Sequence, residues 1–238
     1  FKSWPTLVSP SYGQAEQLPD SAKLFAVQKG INWFWGGNFL FHSSWKSEYL
    51  EKYQNLDPPV GPELPVNVLD GDGSLGILEG HNSAIDADGR QTYRYSLRTD
   101  VHGETAMALT LAGKLLGKEQ YTQVAHRLID YALKEATSGP RSDPSNAAYG
   151  LISWGFPDDY RRGVYYGDDN ARFLLGSLLS AHLMNERSWD LKLRAAIDAN
   201  FETKADNEAI IKTFHILKGN ISNAKSGHRI MCTKALPV

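Results

Sequence analysis

Two groups of carboxylates stand just before long apolar stretches of the chain and could do acid–base chemistry. Asp100 and Glu104 lie four residues apart before the first stretch, and Asp168 and Asp169 are adjacent before the second. Cleavage of a glycosidic bond needs one carboxylic acid to protonate the leaving oxygen and a second carboxylate as base or nucleophile. If both stretches are helices that start at the same edge of the fold, one acid from each group could flank a sugar.

The same carboxylates could instead serve only the helices that carry them. An Asp near a helix start can cap backbone N–H groups, and Glu104 could complete a capping box. A helix N-terminus favours the ionised form, which suits a base, whereas a general acid needs an apolar, ring-lined niche that raises its pKa. Trp154, Tyr165 and Tyr166 could form such a niche around one member of the second pair. Adjacent helix residues point roughly 100° apart, so only one of that pair is expected to face a cavity.

Further candidate ligand-binding residues are aromatic or polar side chains in or beside loops. Sugar rings present flat C–H faces on which aromatic rings stack, whereas a tryptophan without a ligand is normally buried under its loop. Arg98, Arg161 and Arg162 could pair with a uronate carboxylate or simply be solvated. The candidate substrate-binding residues are Trp33, Trp35, Trp45, His102, Trp154, Tyr165, Tyr166 and Asn170.

Metal ions, nucleotide cofactors and nucleic acids have little support in the sequence. The seven histidines show no HxxxH pair, and no P-loop or Rossmann glycine motif is present. Residues 70–74 (DGDGS) and 86–90 (DADGR) echo calcium loops but lack the remaining EF-hand ligands, so turns are expected. The net charge of −2 gives no basic field for nucleic acid. We therefore expect no metal, no cofactor and no nucleic-acid partner.

Length and composition indicate one globular domain. The chain has 238 residues, of which 42% are hydrophobic, which is ordinary for a domain with its own core. No apolar run approaches the roughly 18 residues that span a bilayer. The single cysteine, Cys232, excludes an internal disulfide. The chain starts at Phe1 without a signal-peptide pattern, so we expect a processed protein or a fragment.

Two kinds of helix alternate along the chain and would position the acids. Residues 105–116 and 171–184 are apolar on almost every face, and each is followed by a tight turn and a helix with one apolar stripe, at 119–136 and 189–201. The first kind predicts an inner layer and the second an outer layer. Stacked αα-hairpins of this kind form solenoids or closed (α/α) toroids. Because the long loops precede the inner helices, we expect a toroid whose irregular loops gather at one rim.

The remaining segments predict an incomplete toroid. A hairpin of two helices with its loops takes roughly 35–45 residues, so five or six would fit, yet only three are discernible. We expect an all-α fold in a single domain, 1–238. Its segments are an irregular lead-in at 1–19, a helix from about Ala22 to Gly36, a shorter helix at 44–54, a loop-rich region at 55–92 that is either functional or holds short strands, and a tail at 204–238 that departs from the pattern.

About half of the sequence resembles bacterial six-hairpin glycosidase-like proteins. The similar segments are AKLFAVQKGINWFWGGNFLFHSSW (22–45), RTDVHGETAMALTLAGKLLG (98–117) and YYGDDNARFLLGSLLSAHLMNERSWDLKLRAAIDANF (165–201). The resemblance implies an (α/α)-toroid fold and carbohydrate as the substrate class. It also implies a periplasmic or extracellular location, because such proteins often handle polysaccharide fragments outside the cytoplasm.

These observations predict a carbohydrate-active protein, and hydrolysis by one acid from each group is the favoured activity. A polysaccharide lyase on the same scaffold is an alternative, in which His102 and Tyr165 or Tyr166 would abstract and return a proton. A non-catalytic glycan-binding protein is another, favoured if the toroid is incomplete. The sequence does not indicate the sugar, the linkage or the oligomeric state.

Overall fold

The protein is mostly α-helical. A computed structural model describes residues 17–65, 67–156 and 163–205, and about 55% of these are helical. The expected all-α class is therefore confirmed only in part: the described residues are mostly helical, but they also form two small β-sheets. The predictions for Arg161, Arg162, most of the lead-in and most of the tail lie outside the described residues.

Six α-helices lie within these ranges, and their bounds follow the predicted ones closely for the long helices. A 3₁₀ turn (Ser43–Trp45) and a π-helical turn (Lys46–Leu50) lead into the shortest α-helix, where a single helix is predicted from the sequence. No helix within the described ranges is long and apolar enough to cross a membrane. The helices are α1 (Ala22–Gly36), α2 (Glu51–Tyr53), α3 (Thr99–Leu116), α4 (Glu119–Ala136), α5 (Gly167–Met184) and α6 (Asp190–Ala205).

Helices α3 and α5 lie side by side and run in the same direction. Gly103 packs against Phe173 and Gly176. About two turns further along both helices, the Thr110 hydroxyl donates to Ser180 Oγ over 3.1 Å. A Cβ atom on Gly176 would lie 2.2 Å from the Gly103 carbonyl oxygen, so the two backbones approach more closely than any side chain allows. Since the contacts advance together along both helices, their N-termini lie at the same end of the pair.

Helices α4 and α6 form the outer layer, as the single apolar stripe of α4 predicts. The α3–α4 turn is closed by Gly117 at φ 65°, and the α5–α6 turn by Asn185 at φ 57°. Trp189, just before α6, donates its indole N–H to Asp130 of α4 and thereby ties the two outer helices together. The buried residues of α4 are Tyr121, Val124, Ala125, Leu128, Ile129, Ala132, Leu133 and Ala136.

Helices α3 and α5 each leave part of their apolar surface exposed, although the sequence makes them apolar on almost every face. Leu111 and Leu115 of α3 are 46% and 57% exposed, and Leu175 and Leu178 of α5 are 63% and 42% exposed. Each helix packs on its neighbour and on the outer layer, and a second face of each stays open to solvent. An apolar residue in a helix therefore does not by itself show burial.

Short strands in the loop-rich region hold the start of α3 in place. Strands β1 (Val60–Gly61), β2 (Gly80–Ile85) and β3 (Gln91–Arg94) form an antiparallel sheet in the order β1–β3–β2. Strand β4 (Leu97–Arg98) runs directly into α3 and pairs with β5 (Gly155–Phe156).

The two calcium-like segments are turns, as expected. In the first, Asp72 accepts hydrogen bonds from the backbone N–H and hydroxyl of Ser74. In the second, Asp86 accepts from the backbone N–H groups of Asp88 and Arg90 between β2 and β3.

Candidate functional site

Arg98 joins the two groups of acids that the sequence singles out. One of its terminal nitrogens, Nη2, donates to Asp100 Oδ2 over 2.7 Å and to Asp169 Oδ1 over 3.0 Å. The other, Nη1, lies 3.4 Å from Glu79 Oε1. Arg98 is the last residue of β4 and directly precedes α3, and its pairing with Gly155 holds it there. We call Glu79, Arg98, Asp100 and Asp169 the Arg98 cluster.

The two aspartates of the cluster are buried and contact the same nitrogen of Arg98. Asp100 and Asp169 are 2% and 5% exposed. Burial and the neighbouring Asp100 raise the pKa of Asp169 to about 7, although Arg98 opposes that change. Asp100 Oδ1 is buried and has no hydrogen-bond partner among the described residues. A proton on Asp169 reduces the repulsion between the two carboxyl groups.

The guanidinium of Arg98 stays charged within this cluster. Burial alone would lower its pKa, but the carboxylates of Asp100, Asp169 and Glu79 together raise it. Glu79 also lies 3.1 Å from Arg94 Nε, and its second oxygen, Oε2, is buried without a hydrogen bond. Sequence reasoning missed Glu79, because it belongs to neither acidic group and reaches the cluster only through the β2–β3 hairpin.

The other two candidate acids, Asp168 and Glu104, face solvent. Of the adjacent pair on α5, Asp169 is buried and Asp168 is exposed, so the two side chains point in different directions as predicted. The side chain of Glu104 is 48% exposed, and Arg172 Nε lies 3.9 Å from its Oε1. Arg172 also lies 4.0 Å from Asp100 Oδ2 and so borders both acidic groups.

The carboxylates are not used as helix caps. The N-cap positions of α3 and α5 are Arg98 and Tyr166, and neither helix has a side-chain cap hydrogen bond. Asp100 and Asp169 stand within the first turns instead, where the helix dipole favours negative charge.

Two aromatic rings stand beside the cluster. The guanidinium carbon of Arg98 lies 5.7 Å from the centre of the Trp154 ring, and Trp154 meets Tyr166 edge to face with centroids 5.7 Å apart. Both residues are held by the backbone, since Trp154 accepts from the Thr99 N–H and Tyr166 directly precedes α5. Tyr165 points elsewhere and donates its hydroxyl hydrogen to Asn200 of α6 over 2.9 Å.

His102 is a buried structural residue, which contradicts its prediction as a binding residue. The Ile77 N–H donates to His102 Nε2 over 3.1 Å, so the ring proton sits on Nδ1 and is donated to the Arg98 carbonyl over 2.7 Å. Burial lowers the pKa of His102 to about 4, and the ring is therefore neutral near pH 7. Both nitrogens are occupied, and neither can reach a substrate without unfolding this contact.

Asn170 and Trp45 are corrected for the same reason. The Asn170 amide accepts from the Ile152 N–H over 3.0 Å and donates to the Ile152 carbonyl over 2.8 Å, and the residue is 1% exposed. Trp45 is 2% exposed and donates to the Leu69 carbonyl over 2.9 Å. Both side chains hold loops against the helices, and a ligand could not contact either of them.

Trp33 and Trp35 lie on α1, and their rings pack on aromatic residues outside the Arg98 cluster. Trp33 is 51% exposed and packs on Phe39 at a centroid distance of 4.5 Å. Trp35 is partly buried and packs on Tyr121 of α4 at 5.3 Å. Of the predicted tryptophans, Trp154 is the one that the structure joins to the acids.

Known proteins do not yet identify the site. Among the residues that the structure describes, no group of three or more His, Cys, Asp or Glu side chains could hold a metal ion. No family model, curated protein or solved structure matches the chain.

Proposed function

We propose that the protein is a glycoside hydrolase that acts on poly- or oligosaccharides, with Asp169 as the proton donor. The observation that carries this proposal is the pair of carboxyl groups, one from the start of each inner helix, held on one nitrogen of Arg98. It agrees with the resemblance to six-hairpin glycosidase-like proteins, which implies carbohydrate as the substrate class.

Asp169 suits the role of general acid because of where its proton is kept. A pKa of about 7, raised mainly by burial, leaves a large share of the groups protonated near neutral pH. A general acid is most effective when its pKa lies near the working pH. When Asp169 transfers its proton to the glycosidic oxygen as the C–O bond breaks, Arg98 and the first turn of α5 stabilise the new carboxylate.

The second carboxylate must come from outside this pair. Arg98 Nη2 lies 2.7 Å from Asp100 Oδ2 and 3.0 Å from Asp169 Oδ1, so a sugar ring cannot lie between these two oxygens. Glu104 and Asp168 are exposed at the same end of the two helices. One of them would activate a water molecule or attack the anomeric carbon, depending on its separation from Asp169. Trp154 and Tyr166 supply rings on which a sugar can stack.

Glycan binding without cleavage is the second candidate. Asp100 and Asp169 are 2% and 5% exposed, so a ligand would have to reach nearly covered acids. The lyase alternative loses its base, because both ring nitrogens of His102 are engaged with the backbone.

A substrate panel separates these candidates. We would measure reducing-sugar release and binding for wild type on a set of plant and microbial polysaccharides. Asp169→Asn should lower the hydrolysis rate by about 10²–10⁴-fold, because the proton donor is gone. Glu104→Gln and Asp168→Asn identify the second carboxylate by which of them loses activity.

Asp88→Asn is the matched control, since Asp88 is an exposed acid of the β2–β3 turn that pairs with Arg90. It should keep the wild-type rate. Binding without cleavage by wild type would favour the second candidate. If wild type neither binds nor cleaves any glycan of the panel, both are overturned.

A further inference from the structure

Arg172 of α5 reaches across to α3 at the end of the two inner helices that carries the acids. It stands about one turn after Asp169 in α5, and Glu104 stands about one turn after Asp100 in α3. Arg172 Nε lies 3.9 Å from Glu104 Oε1, and its Nη1 lies 4.0 Å from Asp100 Oδ2. One guanidinium from α5 therefore faces two carboxylates of α3.

The N–H groups of Arg172 are not used up by the fold. Both of its carboxylate contacts are longer than a hydrogen bond, and no shorter contact occupies the guanidinium within the described part of the chain. The side chain is 53% exposed. An arginine presents five N–H donors in a fixed planar fork, so Arg172 can donate to a water molecule or to a sugar hydroxyl at this place.

Glu104 is tied to the Arg98 cluster, whereas Asp168 is not. Glu104 and Asp100 are four residues apart and share a face of α3, and Asp100 is a member of the cluster. Arg172 borders both of them. Asp168 is exposed on α5 and has no ion-pair partner among the described residues. A catalytic group works best when a neighbour fixes its orientation, and Arg172 is placed to do this for Glu104.

The gap between Arg172 and Glu104 suits a water-mediated contact. A separation of 3.9 Å is too long for a direct hydrogen bond, but it allows one water molecule to accept from the guanidinium and donate to the carboxylate. The side chain of Glu104 is 48% exposed, so that both water and a sugar can reach it.

We propose that Glu104 is the second carboxylate of the hydrolase and that Arg172 is its positioning residue. This assignment rests on the proposed function and chooses between the two acids that it leaves open. Glu104 takes a proton from a water molecule that Arg172 orients, and the oxygen of that water bonds to the anomeric carbon. Asp169 gives its proton to the glycosidic oxygen, which departs with the electron pair of the broken C–O bond.

Hydrolysis rates and rescue by azide test the role of Glu104. On the polysaccharide that wild type cleaves best, Glu104→Ala should lower kcat by about 10²–10⁴-fold, because no base activates the water. Sodium azide should restore part of this rate, because the azide ion attacks the anomeric carbon without giving up a proton. The product is then a glycosyl azide, which mass spectrometry detects. Circular dichroism confirms that the variant is folded.

A double-variant cycle tests the role of Arg172. Arg172→Gln should lower kcat by about 10²-fold with little change in KM, because the water and Glu104 are no longer oriented. In the Glu104→Ala background the same change should cause little further loss, since Arg172 acts through Glu104, whereas a merely structural residue would lower both rates by the same factor. Arg187→Gln, at an 80% exposed arginine at the other end of α5, is the matched control and should leave both rates unchanged.

Failure of this assignment can be told apart from failure of the hydrolase proposal. If wild type cleaves no glycan of the panel, both fail. If wild type cleaves and Asp169→Asn does not, while Glu104→Ala keeps the wild-type rate, the activity stands and the assignment is overturned. Azide rescue of Asp168→Ala in place of Glu104→Ala also overturns it, as does an equal loss from Arg172→Gln in both backgrounds.

Discussion

Arg98 determines the charge state of the acids at the start of α3 and α5. Its guanidinium carries one positive charge and is bound by three carboxylates. Glu79 has Arg94 as a second partner, and Asp100 has Arg172 at 4.0 Å. Within the described residues Asp169 is ion-paired with Arg98 alone, and it is buried, so it is the carboxyl group whose pKa is raised, to about 7.

Replacing Asp169 with Asn should remove a pH dependence of stability. The pKa of Asp169 in the fold, about 7, lies above its ordinary value of 3.8. The folded state therefore holds a proton that the unfolded chain releases, and this stability is present below pH 3.8 and lost as the pH rises through 7. Relative to the variant, wild type should lose up to about 4 kcal/mol between pH 4 and pH 7. Urea denaturation across this range measures it.

Asp168→Asn is the control for that experiment, because Asp168 is exposed on the same turn of α5. It should retain the wild-type pH dependence. If Asp169→Asn also retains it, the raised pKa of Asp169 is disproved.

Replacing His102 with Phe should destabilise the fold and change its acid sensitivity. The variant leaves the Ile77 N–H and the Arg98 carbonyl without their partner, which costs about 2–4 kcal/mol at pH 7. The pKa of His102 in the fold, about 4, lies below its ordinary value of 6.5. Its contribution is therefore present above pH 6.5 and lost as the pH falls through 4, and the variant should not show that loss. His182→Phe, at an exposed site on α5, should have little effect on either quantity.

At the scale of the elements, the crossing of α3 and α5 brings the acids together. Gly103 and Gly176 allow the two helices to touch through their backbones. If either carried a side chain, the helices would separate, and Asp100 and Asp169 would no longer reach the same nitrogen of Arg98.

Gly176→Ala should therefore destabilise the protein by about 2–4 kcal/mol, because its Cβ would lie 2.2 Å from the Gly103 carbonyl oxygen. Gly30→Ala is the matched control on α1, where a Cβ would meet nothing within 4 Å. It should stabilise by about 0.5–1 kcal/mol, since alanine is the better helix former. Thermal or urea unfolding compares them. Equal effects of the two substitutions would mean that the crossing is not close-packed.

The long helices could be predicted from the sequence because each carries many repeats of a 3.6-residue pattern. The single stripe of α4 is buried as predicted. The pattern could not show which apolar face lacks a neighbour, so the exposure of Leu111 and Leu175 was missed. Strands β1, β4 and β5 have two residues each, too few for any alternation to be recognised.

The candidate site was predictable only in part, for a related reason. Asp100 and Asp169 follow from acids that recur at the starts of similar helices. Glu79 reaches Arg98 through a hairpin, and no local pattern indicates that contact. His102 carries no local sign of burial either, since its partner Ile77 lies 25 residues earlier in the chain.

In the molecule as a whole, two buried groups beside Arg98 respond to pH in opposite directions. His102 bonds the Arg98 carbonyl, and Asp169 bonds its guanidinium. As the pH rises from 5 to 6.5, the neutral His102 favours the folded state increasingly, while the protonated Asp169 favours it less. Each contribution has a slope of about 1.4 kcal/mol per pH unit, so in wild type they nearly cancel.

This cancellation predicts a pattern across four proteins measured by urea denaturation between pH 5 and pH 6.5. Wild type should show nearly constant free energy of unfolding. Asp169→Asn should become more stable as the pH rises, because only His102 then titrates, and His102→Phe should become less stable. The double variant should again be nearly constant, at a lower stability than wild type because the hydrogen bonds of His102 are lost. Since both residues contact Arg98, a slope in the double variant would show that another group takes up the proton when these two are removed.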